Sequence, residues 1–351
     1  MIVDATERQT LFGARLNACL AWIGMAWVGA STLVAQDSRP LARKQMPRVQ
    51  TFDALFEPDY SYPYLKHASK VPFQHQAQKF DCTNAWWLAE ISMLAYANGD
   101  GFVERQLRSA GMQGAKRYTS PENSDHHTQA VLTFNAAAVI VAFRGTEPQQ
   151  WKDIKTDAKV QQVELTSGGK VHAGFQSALL EVWGQIEPEL ERLSAEGRSV
   201  WLTGHSLGAA LAVLAAHQYK KPATVYTFGA PRVGNAGFVK RYQQPTFRIV
   251  NNTDFVTEIP PPLAYQHVGE LVYFDSRHAL CRNVSTASLI QDKARGQGDA
   301  VTRRLREWSS LNLDKRPLKP LLDHAPICYA VHCWNSLVAL REQSEAGFGR
   351  R

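Results

Sequence analysis

The residues best placed to do chemistry are Gly204-His205-Ser206-Leu207-Gly208, a serine with a glycine two positions before it and another two after. The apolar run 200–203 leads into this motif, and the Ala/Leu-rich stretch Leu207–Tyr219 leads out. Together they predict a strand, a tight turn and a helix, with Ser206 on a strained backbone that lifts its hydroxyl into a cleft. Glycine is needed on both sides, because a Cβ at either position would clash where strand meets helix. The helix N-terminus then faces the serine, and its dipole favours a developing negative charge. The Leu207 amide is placed to donate to an oxyanion. Nucleophilic acyl transfer is the chemistry this set of residues can support.

A serine hydroxyl is a poor nucleophile at neutral pH and needs a base, which in turn needs an orienting acid. With this motif the acid and then the histidine follow the serine in the chain. Asp254 comes just after the apolar strand 247–251, within Asn-Asn-Thr-Asp, which is also good turn chemistry; Asp275 follows a later strand and is the reserve candidate. The histidines downstream of the acid are His267, His278, His324 and His332. His324 stands on a loop just before a helix. His332 falls inside that helix, where an apolar face usually packs its histidine, and His267 reads as the brace of its own turn. His126-His127 is a lone pair in a polar loop, so no metal constellation appears. Hydrolysis through an acyl-enzyme needs no cofactor.

The elements that must position these residues alternate between strand and helix. A helix is expected over 84–98, with Trp86, Trp87, Ile91, Leu94 and Ala95 as its buried side and Asn98-Gly99-Asp100-Gly101 as its stop. Strands over 130–134 and 137–143 flank a tight turn at Asn135. A long amphipathic helix covers 173–195. Further strands lie at 224–228, 247–251 and 270–274. Strands separated by helices imply a mostly parallel central sheet with helices on both faces, an α/β fold whose ligands bind at the carboxyl ends of the strands.

Six linked segments give these residues a resemblance. Gly204–Gly208 joins Phe143-Arg144-Gly145-Thr146, Val171-His172-Ala173-Gly174-Phe175, Phe228-Gly229-Ala230-Pro231-Arg232-Val233-Gly234-Asn235, Val250-Asn251-Asn252-Thr253-Asp254 with Pro260-Pro261, and Tyr265-Gln266-His267-Val268-Gly269. In this order, over roughly residues 80–340, they resemble the fungal-type (class 3) lipase family. The resemblance implies an α/β-hydrolase variant that hydrolyses acylglycerols, phospholipids or related esters. It assigns the acid to Asp254 and the base to His324, which has a tyrosine five residues on, at Tyr329. It builds the oxyanion hole from the amides of Thr146 and Leu207, with the Thr146 hydroxyl as a further donor. Ala325-Pro326 departs from the family pattern, though proline is tolerated early in a helix. In the family a lid follows the oxyanion strand. Here that stretch is 147–161, where Trp151 and Ile154 form an apolar i, i+3 pair that suits either an amphipathic lid or a surface helix pinned by one tryptophan.

Composition narrows the remaining possibilities. A chain of 351 residues with 44% hydrophobic and 20% charged residues is an ordinary globular protein with room for one large α/β domain. Its net charge of +7 comes without a long basic run or a nucleic-acid motif, so no nucleic-acid partner is expected; a lipid or small ester substrate is, with contact to a membrane or lipid interface. The basic stretch 276–323 reads as a solvated helix face plus loop, or as an attraction to anionic headgroups. None of the five cysteines lies in a CxxC pair, which leaves buried thiols or disulfides. The apolar, uncharged segment 16–35 is a signal, an anchor or a dispensable extension, with export or anchoring preferred over a cytoplasmic location. The expected domain plan is an N-terminal extension over 1–45, an irregular wrapping segment over 46–80 and the hydrolase domain over 81–345. Two other functions use the same chain: a catalytically silent binding module, and acyl transfer to an alcohol instead of water.

Overall fold

The computed structural model describes residues 40–46, 57–145, 161–307 and 319–348, except for the side chains at 100, 299–307 and 347–348. The chain divides at Leu41/Ala42, and the unit Ala42–Arg351 carries all the elements named below.

Eight strands form one sheet in the order β1-β2-β3-β6-β7-β8-β9-β10. They are β1 (Gly114–Thr119), β2 (Gln129–Phe134), β3 (Ala138–Phe143), β6 (Ser199–His205), β7 (Thr224–Phe228), β8 (Thr246–Asn251), β9 (Glu270–Phe274) and β10 (Leu280–Arg282). The five central strands, β3 to β9, are parallel, and the antiparallel pairings fall at the two edges. A small hairpin, β4 (Gln162–Glu164) with β5 (Lys170–His172), stands apart. This is the mostly parallel α/β sheet the sequence implied.

Helices cover both faces of the sheet. On one face lie α3 (Ala173–Ala195) and α4 (Leu207–Tyr219), which bury Leu179, Trp183 and Leu211 against Val139, Val141 and Leu202. On the other lie α1 (Cys82–Leu94) and α8 (Pro326–Phe348), with Trp86 and Trp334 ring to ring at 4.9 Å. All six residues of β3 are buried, as a strand covered on both faces requires. Among the described residues the remaining helices are α2 (Asp100–Ser109), α5 (Ala236–Arg241), α6 (Thr286–Glu307) and the short α7 (Lys319–Leu322).

The first helix differs from expectation. It runs from Cys82 to Leu94, not 84–98, because Asp81 caps it by accepting from the Asn84 amide at 2.9 Å. It also has no solvent face: every residue from Thr83 to Leu94 is buried. Gly99-Asp100-Gly101 is not only a stop, since Gly99, at φ 93°, leads straight into α2. Burying α1 on all sides places Glu90 in the core, where a carboxylate must be paired. Glu90 accepts from Lys44 Nζ at 2.8 Å, Tyr62 Oη at 2.7 Å, Trp86 Nε1 at 2.9 Å and the Leu65 amide at 3.2 Å. These bonds fasten the stretch 57–80, which has neither helix nor strand, and residues 42–46 to the domain. Trp334 Nε1 adds a bond to the Ala42 carbonyl at 2.8 Å, and Asn335 brackets the Lys44 backbone.

Among the described residues no helix is long and apolar enough to cross a membrane, and the segment 16–35 lies outside them. Cys82, Cys281, Cys328 and Cys333 are free thiols, the last two buried.

Candidate active site

Ser206 occupies the turn between β6 and α4 with φ 63° and ψ −129°, a conformation a residue with a Cβ adopts only under constraint. The neighbouring glycines make that turn possible. A Cβ on Gly204 would lie 2.3 Å from the Gly208 backbone, and one on Gly208 would lie 2.1 Å from the Phe143 carbonyl oxygen. Strand, turn and helix meet at contact distance here, and only glycine fits. Leu207 heads α4, so its amide is a first-turn donor with no partner inside the helix.

The candidate acid and histidine come from the next elements across the sheet. Asp254 follows β8 by three residues and opens a 3₁₀ turn over Phe255–Glu258. His324 lies between α7 and α8. His324 Nδ1 donates to Asp254 at 2.8 Å to Oδ2 and 3.0 Å to Oδ1, with both side chains at 1% exposure or less. Two further donors fix the carboxylate: Tyr329 Oη on Oδ2 at 2.5 Å and the Val256 amide on Oδ1 at 2.9 Å. Gly229 joins the two halves of the site. Its neighbour Phe228 accepts from the Ser206 amide at 2.9 Å, and a Cβ on Gly229 would lie 2.7 Å from Asp254 Oδ2 and 2.9 Å from His324 Nδ1. Ser206 and the His324–Asp254 pair therefore flank a single peptide at the end of β7. Ser206 Oγ is buried and has no hydrogen-bond partner. The serine–histidine hydrogen bond is thus not made in this state, as is common before substrate binds.

His205, which precedes Ser206, ties parts of the site together. His205 Nε2 lies 2.6 Å from the His324 carbonyl oxygen and must donate to it, since a carbonyl only accepts. The neutral ring then accepts at Nδ1 from Tyr96 Oη, 2.8 Å away. Tyr96 also hydrogen-bonds the Gly145 backbone, two residues past β3. Burial, followed by the nearby His324 ring, keeps His205 neutral to well below the usual histidine range.

The other predicted residues fall as follows. Thr146, Trp151 and Ile154, and with them the second oxyanion amide and the lid stretch, lie outside the described residues. Asp275 is a turn residue that accepts from the Arg277 and Ala279 amides. His267 donates to the Thr257 carbonyl at 2.9 Å. His332 is buried in α8 and stacks on His278 with ring centroids 4.2 Å apart. The roles of Tyr96 and of the Tyr329 hydroxyl were not visible beforehand. The spacing of Tyr329 from His324 hinted at the second, and nothing in the sequence signalled the first.

The chain has an α/β fold built on a mostly parallel sheet, and residues 140–264 match the profile of the family described as Lipase (class 3). The match covers about a third of the chain and includes Ser206 and Asp254. It is 31% identical to a secreted mono- and diacylglycerol lipase of Malassezia globosa over 197 residues, which cover 52% of this chain and 59% of that one. It is 31% identical over 169 residues to a phospholipase A1 of Oryza sativa, covering 39% of this chain and 43% of the relative. Among solved structures it is similar to the triacylglyceride lipase of Rhizomucor miehei, with 26% identity, 46% of this chain and 66% of that chain covered, and a TM-score of 0.41. The chain thus spans about three fifths or less of the length of these curated relatives.

Two predictions arise from this geometry. Tyr329→Phe removes a donor to a buried carboxylate and is expected to lower unfolding stability by about 2 kcal/mol, read by urea denaturation. The second concerns acid. Burial, the largest cause in each case, lowers His172 to about 4 and His332 to about 3, and holds His205 and His267 well below 6.5. These groups are neutral when folded but protonated in the unfolded chain below about 6.5, so acid favours unfolding. Stability is expected to fall as pH drops below about 6.5, by about 1.4 kcal/mol per pH unit for each group, until the folded form also takes up the proton. Burial would raise Glu258 and Asp292, but hydrogen bonds, with Lys293 and Arg232 at Glu258, hold both below the usual carboxylate range and add losses of the same sign further down. Denaturation curves that superimpose from pH 7 to 5 would contradict this.

Proposed function

We propose that this chain hydrolyses carboxylic esters of lipids, acylglycerols or phospholipids, through an acyl-enzyme on Ser206. The observation that carries this reading is the buried His324–Asp254 contact at 2.8 Å beside a serine held at φ 63°. The match of residues 140–264 to the class 3 lipase profile supports it, as do the names of the relatives. In the first step Ser206 Oγ attacks the ester carbonyl while its proton passes to His324 Nε2. Asp254 keeps Nδ1 protonated and compensates the imidazolium. The Leu207 amide, with that of Thr146, stabilises the tetrahedral oxyanion; a donor of this kind contributes roughly 3 kcal/mol at the transition state. Collapse of the intermediate expels the alcohol, which takes the proton from His324, and water then repeats the sequence to release the fatty acid. The hydrolase domain is assigned to 81–345, behind the wrapping segment 46–80 and the extension 1–45, and its substrates bring it to a lipid interface.

The test is a turnover panel of glycerides, phospholipids and short nitrophenyl esters, run with and without an alcohol acceptor. Release of fatty acid from at least one lipid class is expected. Folded protein that turns over nothing on the panel would favour a silent binding module, and ester exchange outpacing hydrolysis would favour an acyltransferase.

A further inference from the structure

Thr253 stands immediately before the candidate acid, and Asp323 immediately before the candidate base. These two neighbours are bonded to each other. The Thr253 amide and Oγ1 donate to Asp323 Oδ2 at 3.0 Å and 2.6 Å. Asn251 Nδ2 donates to the Asp323 carbonyl at 2.9 Å. Lys319, one helical turn before Asp323, forms an ion pair with the same Oδ2 and reaches Asn252 Oδ1 at 2.8 Å. Asn252 is held from its other side by Asp292, whose Oδ2 accepts from Asn252 Nδ2 at 2.8 Å. Asn251, Asn252, Thr253 and Asp323 are all buried.

A second buried carboxylate next to a reacting His–Asp pair is costly unless it is paired, and the hydrolytic steps make no use of it. Its bonds run from the histidine loop to the acid loop, parallel to the His324–Asp254 contact itself. We propose that Asp323, neutralised by Lys319, is a positioning residue for the reaction assigned to Ser206: it sets the His324 loop against the Asp254 loop and keeps a compensated charge pair beside the imidazole. The inference rests on the hydrolase reading above.

The groups around the His324 ring come from every neighbouring element. Asp254 faces it from the end of β8, and His205 from the end of β6, with ring centroids 4.5 Å apart. Phe255 lies at 6.1 Å, and Tyr329 of α8 acts through Asp254. The buried Cys328 thiol, also on α8, donates to the Leu322 carbonyl at 3.0 Å. Burial pushes that thiol up, Asp323 and Asp254 add to the shift and Lys319 opposes it.

Charge sign makes the proposal testable. Asp323→Asn keeps an acceptor for Thr253 but leaves the Lys319 ammonium uncompensated, which favours the neutral imidazole. Lys319→Met leaves the Asp323 carboxylate uncompensated, which favours the imidazolium. The pH dependence of kcat/KM on a soluble short-chain nitrophenyl ester is expected to show the acid limb moving to lower pH in Asp323→Asn and to higher pH in Lys319→Met. Each shift should be on the order of half a unit. Thr253→Val, which changes no charge, is expected to lower kcat about tenfold with KM within about twofold and the limb unmoved. Lys319→Gln serves if Lys319→Met does not fold, as judged by circular dichroism. Limbs that stay in place, or move the same way in both charge variants of a folded, active enzyme, would overturn the proposal and make Asp323 merely structural. A wild type that neither hydrolyses esters nor labels at Ser206 would instead overturn the hydrolase reading, and this inference with it.

Discussion

Ser206→Ala is expected to lower kcat by about six orders of magnitude while leaving the fold and ground-state binding intact. In the proposed mechanism the loss is large because the hydroxyl supplies the bond to the acyl carbon. His324 and Asp254 have nothing to activate once it is gone, so the three act as a unit. Residual turnover above the rate in water would come from the oxyanion donors alone. The same position also stores strain. At φ 63° and ψ −129° any residue with a Cβ is held in a sparsely populated region, at a cost of about 1–3 kcal/mol. Alanine keeps that Cβ, whereas glycine does not. Ser206→Gly is therefore expected to be more stable than Ser206→Ala by about 1 kcal/mol and equally inactive, as read by parallel denaturation curves and turnover assays. Equal stability of the two variants would mean that the turn is not strained. Activity surviving in either would remove Ser206 from the mechanism.

His324→Ala is expected to match Ser206→Ala, with a loss of about 10⁶ in kcat, while His332→Ala keeps turnover close to that of the wild type. The contrast follows from what each ring touches. His324 bonds the Asp254 carboxylate at 2.8 Å and sits across Gly229 from the serine turn. His332 stacks on His278 at 4.2 Å and lies 5.3 Å from Phe274, and burial, with His278 and Lys319 nearby, lowers it to about 3. Its burial and stacking make it a packing residue. Its removal should cost about 1–3 kcal/mol of stability, measurable by denaturation, and little else. A catalytic collapse in His332→Ala with activity retained in His324→Ala would reverse the assignment.

Much of this was legible in the residues themselves, where physics leaves few choices. A strained turn between strand and helix demands glycine at 204 and 208, and the motif located the turn. The apolar runs of β7 and β9 and the helices at 173–195 and 207–219 fell at their observed bounds, because buried parallel strands and their crossover helices carry strong patterns. The edges of the sheet were not legible. In β1, Gly-Ala-Lys-Arg-Tyr-Thr, only Tyr118 is buried, so no alternation marks it as a strand. The start of α1 was misjudged because its cap, Asp81, precedes a helix that is buried on all sides and shows no amphipathic signal. The supporting shell was the least visible part. Tyr96 meets His205 from 109 residues away, and Asp323 meets Thr253 from 70, contacts that only tertiary packing creates.

The most direct measurement is to react the folded protein with a fluorophosphonate and map the adduct by peptide mass spectrometry. The account predicts one phosphonyl group, on the peptide bearing Ser206, with its rate of attachment falling steeply in His324→Ala and Asp254→Asn. An adduct on any other residue, or none while the protein turns over esters, would contradict it.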